Sequence, residues 1–249
     1  MKQSKCPICK NTTSLLDVVD FNKSCEEARG KFLPLSGKPI YYEHCRICGF
    51  THAPEFSNWT DQEFLDNIYN EQYIEVDPDY QSIRPTHNFD NIKNMFSNHK
   101  TEIKHLDYGG GNGELSRLLS ADGWNSTSYD PFPNNDDISS LGKYNLITSF
   151  EVFEHVPNID QLMKNLLSLM DKNCLILFTT LVSDGNIAMN NRINWWYASP
   201  RNGHISLFSK NSLVIFGRKN NLITGSFTDN MHCYFNKLPH FANHIIKTS

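Results

Sequence analysis

Apolar and polar positions change period several times along this chain. Between Ser57 and about Lys100 the spacing is helical: Trp59, Phe64, Leu65, Ile68 and Tyr69 mark one amphipathic face, and Phe89, Ile92, Met95 and Phe96 mark another. Ile103 to Tyr108 alternates as a short strand does, and Leu115, Leu118 and Leu119 then return to helical spacing. A second strand is predicted over about Ser126 to Tyr129, and a helix from Ile159 to Met170 with Pro157 at its start. Ser209 caps a last helix running to about Asn220, and Leu222 to Phe227 and His232 to Phe235 are predicted strands.

The junction between the first of these strands and its helix reads His105-Leu-Asp-Tyr-Gly-Gly-Gly-Asn-Gly-Glu-Leu115, with glycine at 109, 110, 111 and 113. Such a loop turns sharply and lets a ligand approach backbone that any Cβ would shield. It predicts a nucleotide or nucleoside seat. The dinucleotide fingerprint, begun at Gly109 or Gly111, asks for a small residue at 114 or 116, where Glu114 and Ser116 stand. Asp107 closes the strand, and a carboxylate beside a pyrophosphate is repelled. It suits a cation. S-adenosylmethionine carries a sulfonium and an ammonium and no phosphate, and Asp130, nineteen residues beyond Gly111, ends the next strand where an acid accepts both ribose hydroxyls.

This stretch resembles motif I of the class I S-adenosylmethionine-dependent methyltransferases. Tyr144-Asn-Leu-Ile-Thr-Ser-Phe-Glu-Val-Phe-Glu-His-Val-Pro157 is similar to that family's fourth strand and turn, and Asn173 to Thr180 to its fifth strand. The resemblance covers about residues 102 to 182. It implies a Rossmann-like α/β fold with a seven-stranded sheet, mostly parallel with the last strand antiparallel, and S-adenosylhomocysteine as product. It also implies a helical lid over the cofactor, in which Tyr69 and Tyr73 either face the ligand or pack on the core. An acid and an apolar neighbour, here Asp137 and Ile138 in the Asp136-Asp-Ile run after the turn Pro131-Phe-Pro133, would bracket the adenine, and Phe150 would abut the cofactor. Arg84 either pairs with the methionine carboxylate or is a solvated surface residue.

The chain has 249 residues, 39% of them hydrophobic, enough for one full core and a small appended module. The expected division is a zinc module over 1–56, a helical lid over 57–100 and the methyltransferase domain over 101–249. A formal net charge of −4 disfavours nucleic acid as the partner. The start of the chain has no apolar run fit for a signal peptide and no later stretch is long enough to span a bilayer, so a cytoplasmic protein is expected. In that compartment seven cysteines point to metal rather than disulfides. Cys6-Pro-Ile-Cys9 and Cys45-Arg-Ile-Cys48 offer four thiolates as two close pairs, a closed tetrahedral shell for structural Zn2+. The insert between the pairs holds Cys25, a spare thiol, while His44 and His52 are alternative ligands.

Glu151, Glu154 and His155 crowd the end of the predicted fourth strand, where open α/β sheets place ligands. Methyl transfer needs alignment of the acceptor and removal of one proton. His155 is the first candidate base and Glu154 its orienting partner; alternatively the pair fixes the loop into the next helix. Glu151 and His155, four apart, would also begin a divalent metal site lacking a third ligand. From Gly185 to Thr228 there is no acid, while Arg192, Arg201, Trp195 and Trp196 are present. That composition suits a small, polar, anionic acceptor, or else the tryptophans only anchor a loop. Pro200-Arg-Asn-Gly-His-Ile-Ser-Leu-Phe-Ser209 is similar to a turn of zinc-bearing sugar methyltransferases, in which the histidine faces the acceptor; His204 is the second catalytic candidate. The reading is O-methylation of a phosphorylated or nucleotide-linked sugar precursor of a surface or capsular polysaccharide. Its rivals are an RNA methyltransferase holding substrate with the cysteine module and a non-catalytic S-adenosylmethionine-binding protein.

Overall fold

The computed structural model describes residues 4–132 and 137–245. Its strands are β1 (Ser14–Asp20), β2 (Pro39–His44), β3 (Thr51–His52), β4 (Lys104–Tyr108), β5 (Asn125–Tyr129), β6 (Tyr144–Phe150), β7 (Met170–Thr179), β8 (Ser206–Leu207), β9 (Ile223–Ser226) and β10 (Met231–Phe235). The helices are α1 (Asp61–Asn67), α2 (Tyr73–Val76), α3 (Ile83–Phe96), α4 (Glu114–Ala121), α5 (Ile159–Leu169) and α6 (Lys210–Lys219). No helix among the described residues is long and apolar enough to cross a membrane. The chain divides into two compact units, Met1–Pro78 with Phe153–Asp160 and Thr180–Lys219, and Asp79–Val152 with Gln161–Thr179 and Asn220–Ser249.

The second unit holds a sheet of order β5-β4-β6-β7-β10-β9. The pairs β4 with β5, β4 with β6 and β6 with β7 are parallel, and β10 runs antiparallel to both β7 and β9. This is a mixed α/β sheet, parallel for most of its width. Six strands are present among the described residues, not the expected seven. Only residues 130–143 separate β5 from β6, and their described part forms a turn and a single 3₁₀ turn at Ile138–Ser140. A further parallel strand would need its own crossover of a dozen residues or more. β5 therefore stands at the edge, and its sequence, Asn-Ser-Thr-Ser-Tyr, is polar as an edge demands. Ile92, Phe96, Leu115, Leu119, Trp124, Leu146 and Leu175 belong to one buried cluster that binds α3 and α4 to the sheet.

The first unit is built on a wholly antiparallel sheet, β1-β2-β3-β8. Between β1 and β2 the chain makes an excursion closed at its base by Phe21 N–H donating to the Lys38 carbonyl at 2.9 Å. Asp20 ties that loop down, accepting from the backbone N–H groups of Asn22, Ser36 and Gly37. Helix α1 starts with a full capping box: Thr60 Oγ1 accepts from Glu63 N–H, and Glu63 accepts from Thr60 N–H at 2.7 Å. Phe56, Trp59 and Phe64 then pack ring against ring, with centroids 4.6 to 6.2 Å apart.

The units do not follow linear boundaries at residues 56 and 100. Residues 57–78 belong with the cysteine-bearing unit and α3 with the other. Moreover β8, far along the chain, joins the sheet of the cysteine segment through Thr51 opposite Leu207 and His52 opposite Ser206.

Candidate functional site

At the carboxyl end of β4 the backbone takes left-handed conformations at Gly109, Gly111 and Gly113, with φ of 77°, 56° and 76°. A Cβ on Gly109 would stand 2.4 Å from Val152 Cγ2, and one on Gly110 2.3 Å from Ser128 Oγ, so no side chain fits there. At Gly111 nothing lies within 4 Å of that position. The loop is open on this side. Gly111 N–H donates to Asp130 Oδ2 at 2.6 Å, and Phe132 N–H to Asp130 Oδ1 at 2.8 Å, which holds the second acid beside the glycines. Burial raises the pKa of Asp130.

Asp107 is 4% exposed, and burial, with Asp130 nearby, pushes its carboxyl up to about 7 against the lowering hydrogen bond from Thr148. That bond ends a buried chain. Thr148 Oγ1 donates to Asp107 Oδ1 at 2.8 Å, so its oxygen accepts from His105 Nε2, 2.9 Å away. His105 Nδ1 then accepts from Ser126 at 2.7 Å, and Ser126 from Ser116 at 2.6 Å. The direction of every proton follows from the first. His105 is fully buried, and burial lowers its pKa to about 3, so the ring is neutral and the Nε2–H tautomer is fixed. His105 is a positioning residue that sequence reasoning passed over; its place on the inward register of β4, two before Asp107, was the available signal.

These residues fit a cationic nucleoside. Two acids with raised pKa values, Asp107 buried and Asp130 half-buried, disfavour added negative charge, and the first turn of α4, where a phosphate would seek N–H groups, carries Glu114. Glu114 is held by Arg117 through bonds of 2.6 and 2.7 Å. Phe150 ends β6 as a buried core residue. Pro131 is exposed in the turn after β5. Asp137 is exposed and spends its carboxylate on Ser139, accepting from its N–H at 2.9 Å and its hydroxyl at 2.6 Å; Ile138 is half-buried. Asp136 and Pro133 lie outside the described residues. Arg84 is half-buried in the first turn of α3.

The first unit gathers the other candidates. Glu154, His155 and His204 each bring a ligating atom within 4.8 Å of the other two. The two imidazoles meet edge to face with centroids 4.8 Å apart. His204 Nδ1 lies 2.8 Å from the Tyr197 carbonyl, which can only accept; Nδ1 therefore carries the proton and Nε2 the basic lone pair. Tyr197 Oη donates to Glu154 Oε1 at 2.5 Å, so one tyrosine orients both groups. Tyr69 Oη is 3.2 Å from His155 Nδ1, and Tyr73 Oη donates to the Asn202 carbonyl at 3.4 Å. Gly203 has φ of 84°, and a Cβ there would press on Tyr69 Oη at 2.9 Å and His155 Nδ1 at 3.0 Å. The glycine is what lets His155 sit against this turn.

Several expectations change here. The metal-capable trio contains Glu154 and His204, not Glu151, which instead takes a left-handed φ of 54° after β6 and donates its N–H to Thr179. Cys25 stands outside the four-thiolate set, and its Sγ lies 3.0 Å from Ser199 Oγ and 3.8 Å from His204 Nδ1. The arginines thought to grip an anion are engaged elsewhere. Arg192 pairs with Asp17 at 3.0 Å, and Arg201, 6% exposed, donates to the Ile68 carbonyl at 3.0 Å. Trp195 is buried and Trp196 is 41% exposed.

Cys6, Cys9, Cys45 and Cys48 converge with all four sulfurs within 4.8 Å of one another. Cys6 to Cys48 is 3.5 Å and Cys9 to Cys45 3.4 Å, too long for a disulfide and close to the tetrahedral edge of about 3.8 Å that Zn–S bonds of about 2.3 Å produce. The two knuckles repeat one geometry. Lys10 and Gly49 are both left-handed, with φ of 62° and 79°, and donate to the carbonyls of Cys6 and Cys45. Asn11 and Phe50 carbonyls accept from Cys6 and Cys45 N–H. The set fits zinc. His44 and His52 stand outside it, His44 bonded to Thr51 at 2.8 Å and His52 3.4 Å from Ser4 Oγ.

No curated protein matches the chain. Among solved structures, it is similar to one from Nostoc punctiforme PCC 73102 assigned to the O-methyltransferases (7% identity, TM-score 0.45, covering 66% of this chain and 59% of that one). It is also similar to the SAH-bound magnesium protoporphyrin IX methyltransferase of Synechocystis PCC 6803 (14%, 0.42, 74% and 98%) and to DesVI of Streptomyces venezuelae (11%, 0.44, 68% and 97%). The chain thus spans about three-fifths of the Nostoc protein's length. Identities this low and TM-scores under 0.5 leave the assignment to the family profile, described as a methyltransferase domain, which matches residues 80–222. That span is more than half of the sequence, and the chain belongs to the methyltransferase domain family.

Proposed function

We propose that this protein transfers a methyl group from S-adenosylmethionine to a hydroxyl of a small polar acceptor. The observation that carries the reading is Asp107: a buried carboxyl pushed up to about 7 beside a glycine loop is matched by a ligand cation and mismatched by a phosphate. Asp107, with the loop at Gly109 and Gly111, would hold the amino acid end of the cofactor, and Asp130 the ribose. When bound, S-adenosylmethionine supplies an electrophilic methyl group and departs as S-adenosylhomocysteine. Asp137, Ile138, Pro131, Phe150 and Arg84 complete the proposed cofactor residues. Among them Asp137 is already engaged with Ser139.

On the acceptor side the chain must take one proton and hold the oxygen in line. His204 has its Nδ1–H committed to a carbonyl, so Nε2 is a base of defined tautomer. His155, five residues after Phe150 in sequence, is the alternative base, and Glu154 stabilises the charged imidazolium that either would become. Tyr69 and Tyr73 line the same cluster. Zinc in the four-thiolate shell would supply folding free energy to the unit that carries these residues. The likeness of residues 200–209 to a turn of sugar methyltransferases supports a sugar-type acceptor, such as a surface-polysaccharide precursor. The engaged arginines give a phosphate group on it no support.

The test pairs calorimetry with mass spectrometry. S-adenosylhomocysteine should bind, NAD and ATP should not, and neutral as well as phosphorylated nucleotide sugars incubated with S-adenosylmethionine should be searched for a gain of one methylene mass. His204→Ala should lower turnover by about 100-fold or more, as loss of a general base does. Tight NAD binding without S-adenosylhomocysteine binding would overturn the cofactor. Cofactor binding with no turnover on any acceptor class would favour a non-catalytic binder.

A further inference from the structure

Three of the ten histidines gather outside every residue assigned above. His99 closes the 3₁₀ turn Ser97–His99 after α3, Glu102 precedes β4, and His240 opens the turn His240–Ala242 after β10. All belong to the unit that bears the glycine loop. One ligating atom from each of His99, Glu102 and His240 lies within 4.8 Å of the other two. The His240 ring stands edge-on to His99 at 6.1 Å, and His244 stacks on His99 at 5.9 Å and 25°. His244 Nε2 donates to the Met95 carbonyl at 2.7 Å, leaving its lone pair on Nδ1. Beside them a cavity of about 380 Å³ is lined by His99, His244, Asn94 and Asn98 among others.

We propose that His99, Glu102 and His240 form a second metal site, selective for Zn2+ or a similar borderline divalent ion, with one position left open toward the cavity. Nitrogen and oxygen ligands at about 2.1 Å from zinc stand about 3.4 Å apart in a tetrahedron. His99 Nδ1 and Glu102 Oε1 are already 3.2 Å apart. Glu102 and His240 are exposed, so small rotations of unpacked side chains close the remaining distance. Two imidazoles and one carboxylate are the donors of open, ligand-exchanging zinc sites rather than of closed structural ones. The cysteine shell and this site therefore differ in kind: one is sealed by sulfur, the other is N₂O with room for water or an exchangeable ligand. The ion would also clip the turn after β10 to the turn before β4, the strand that carries Asp107.

The experiment uses untagged full-length protein stripped of loosely bound metal and titrated with Co2+, then with Zn2+. Cobalt in the thiolate shell gives sulfur-to-metal charge-transfer bands, whereas cobalt at His99, Glu102 and His240 gives d–d bands without them. Wild type should show an equivalent with no added charge transfer, and zinc should raise the melting temperature. His240→Ala and Glu102→Gln, both at exposed positions, should each lose that equivalent and the zinc-dependent rise while keeping the charge-transfer bands. A wild-type titration showing thiolate bands alone overturns the proposal, as does a His240→Ala protein that retains the second equivalent.

Discussion

The buried acid at the end of β4 makes cofactor binding depend on pH in a way that can be calculated. Asp107 has an ordinary value of 3.8 and stands at about 7 in the folded chain without ligand, burial being the main cause. Between those values the folded state keeps a proton that the unfolded state has lost, so raising the pH through this window lowers stability. The full cost above about pH 7 is about 4 kcal/mol, at about 1.4 kcal/mol per pH unit. A ligand ammonium needs the ionised form and offsets that cost. Below about pH 7 the ionised fraction, and with it affinity, falls about tenfold per pH unit, and binding there releases about one proton. Calorimetry with S-adenosylhomocysteine in buffers of differing ionisation enthalpy, from about pH 5 to 8, measures both quantities. Asp107→Asn should flatten the profile, weaken binding at high pH by the 10- to 150-fold that about 1.5–3 kcal/mol for a charged hydrogen bond implies, and raise stability above pH 7. Asp130→Asn should leave the slope in place. A flat wild-type profile, or an equal slope in Asp107→Asn, refutes the cation-matching role of this residue.

Two further outcomes follow from the first unit. Tyr197→Phe keeps the carbonyl that holds His204 but removes the hydroxyl on Glu154, and should cost about 1–3 kcal/mol in thermal or denaturant unfolding. It should lower kcat more than it raises KM, since it disturbs orientation rather than acceptor contact. Cys45→Ser, or a strong chelator, should abolish zinc binding at the thiolate shell and speed amide exchange in β3 and β8 together, because Thr51 pairs with Leu207. Exchange in β4 and β6 gives the comparison within the same sample.

Much of the second unit was legible because its signals are local. A strand, four glycines and a helix need only neighbours in sequence, and β4, α4 and β5 appear where periodicity put them. That the described residues hold six strands in this sheet was legible too, since the 14 residues from 130 to 143 are too few for a further crossover and strand. What pattern could not give is pairing between distant segments. Nothing in Arg192 or Arg201 reveals that Asp17 and the Ile68 carbonyl already hold them, and an acid-free stretch reads as an anion site until its partners are known. Nor does the sequence show that Cys25 lies against Ser199 and His204.

The largest illegible feature is what the cysteine segment is joined to. Read along the chain, Cys6 to Cys48 is an appendage, and Gly203 to Ser209 is a turn in another domain. In the fold they are one construction. Gly49 approaches Ser209 so closely that a Cβ would lie 2.6 Å from its Oγ, and Ser209 Oγ donates to the Cys48 carbonyl at 2.6 Å. That same oxygen caps α6 by accepting from Ser212 N–H at 3.0 Å. From the capped helix the chain runs back through β8, held edge to edge with β3, to His204, whose carbonyl accepts from Tyr42 on β2 at 2.6 Å. A two-residue strand has too few hydrogen bonds to hold its register alone. Metal bound at the knuckle would fix β3; β3 pairs with β8, and the Cys48 carbonyl accepts from Ser209, so the segment carrying His204 would be fixed with them. On the proposed reading the sulfur shell would do no chemistry, yet it would set where His204 stands.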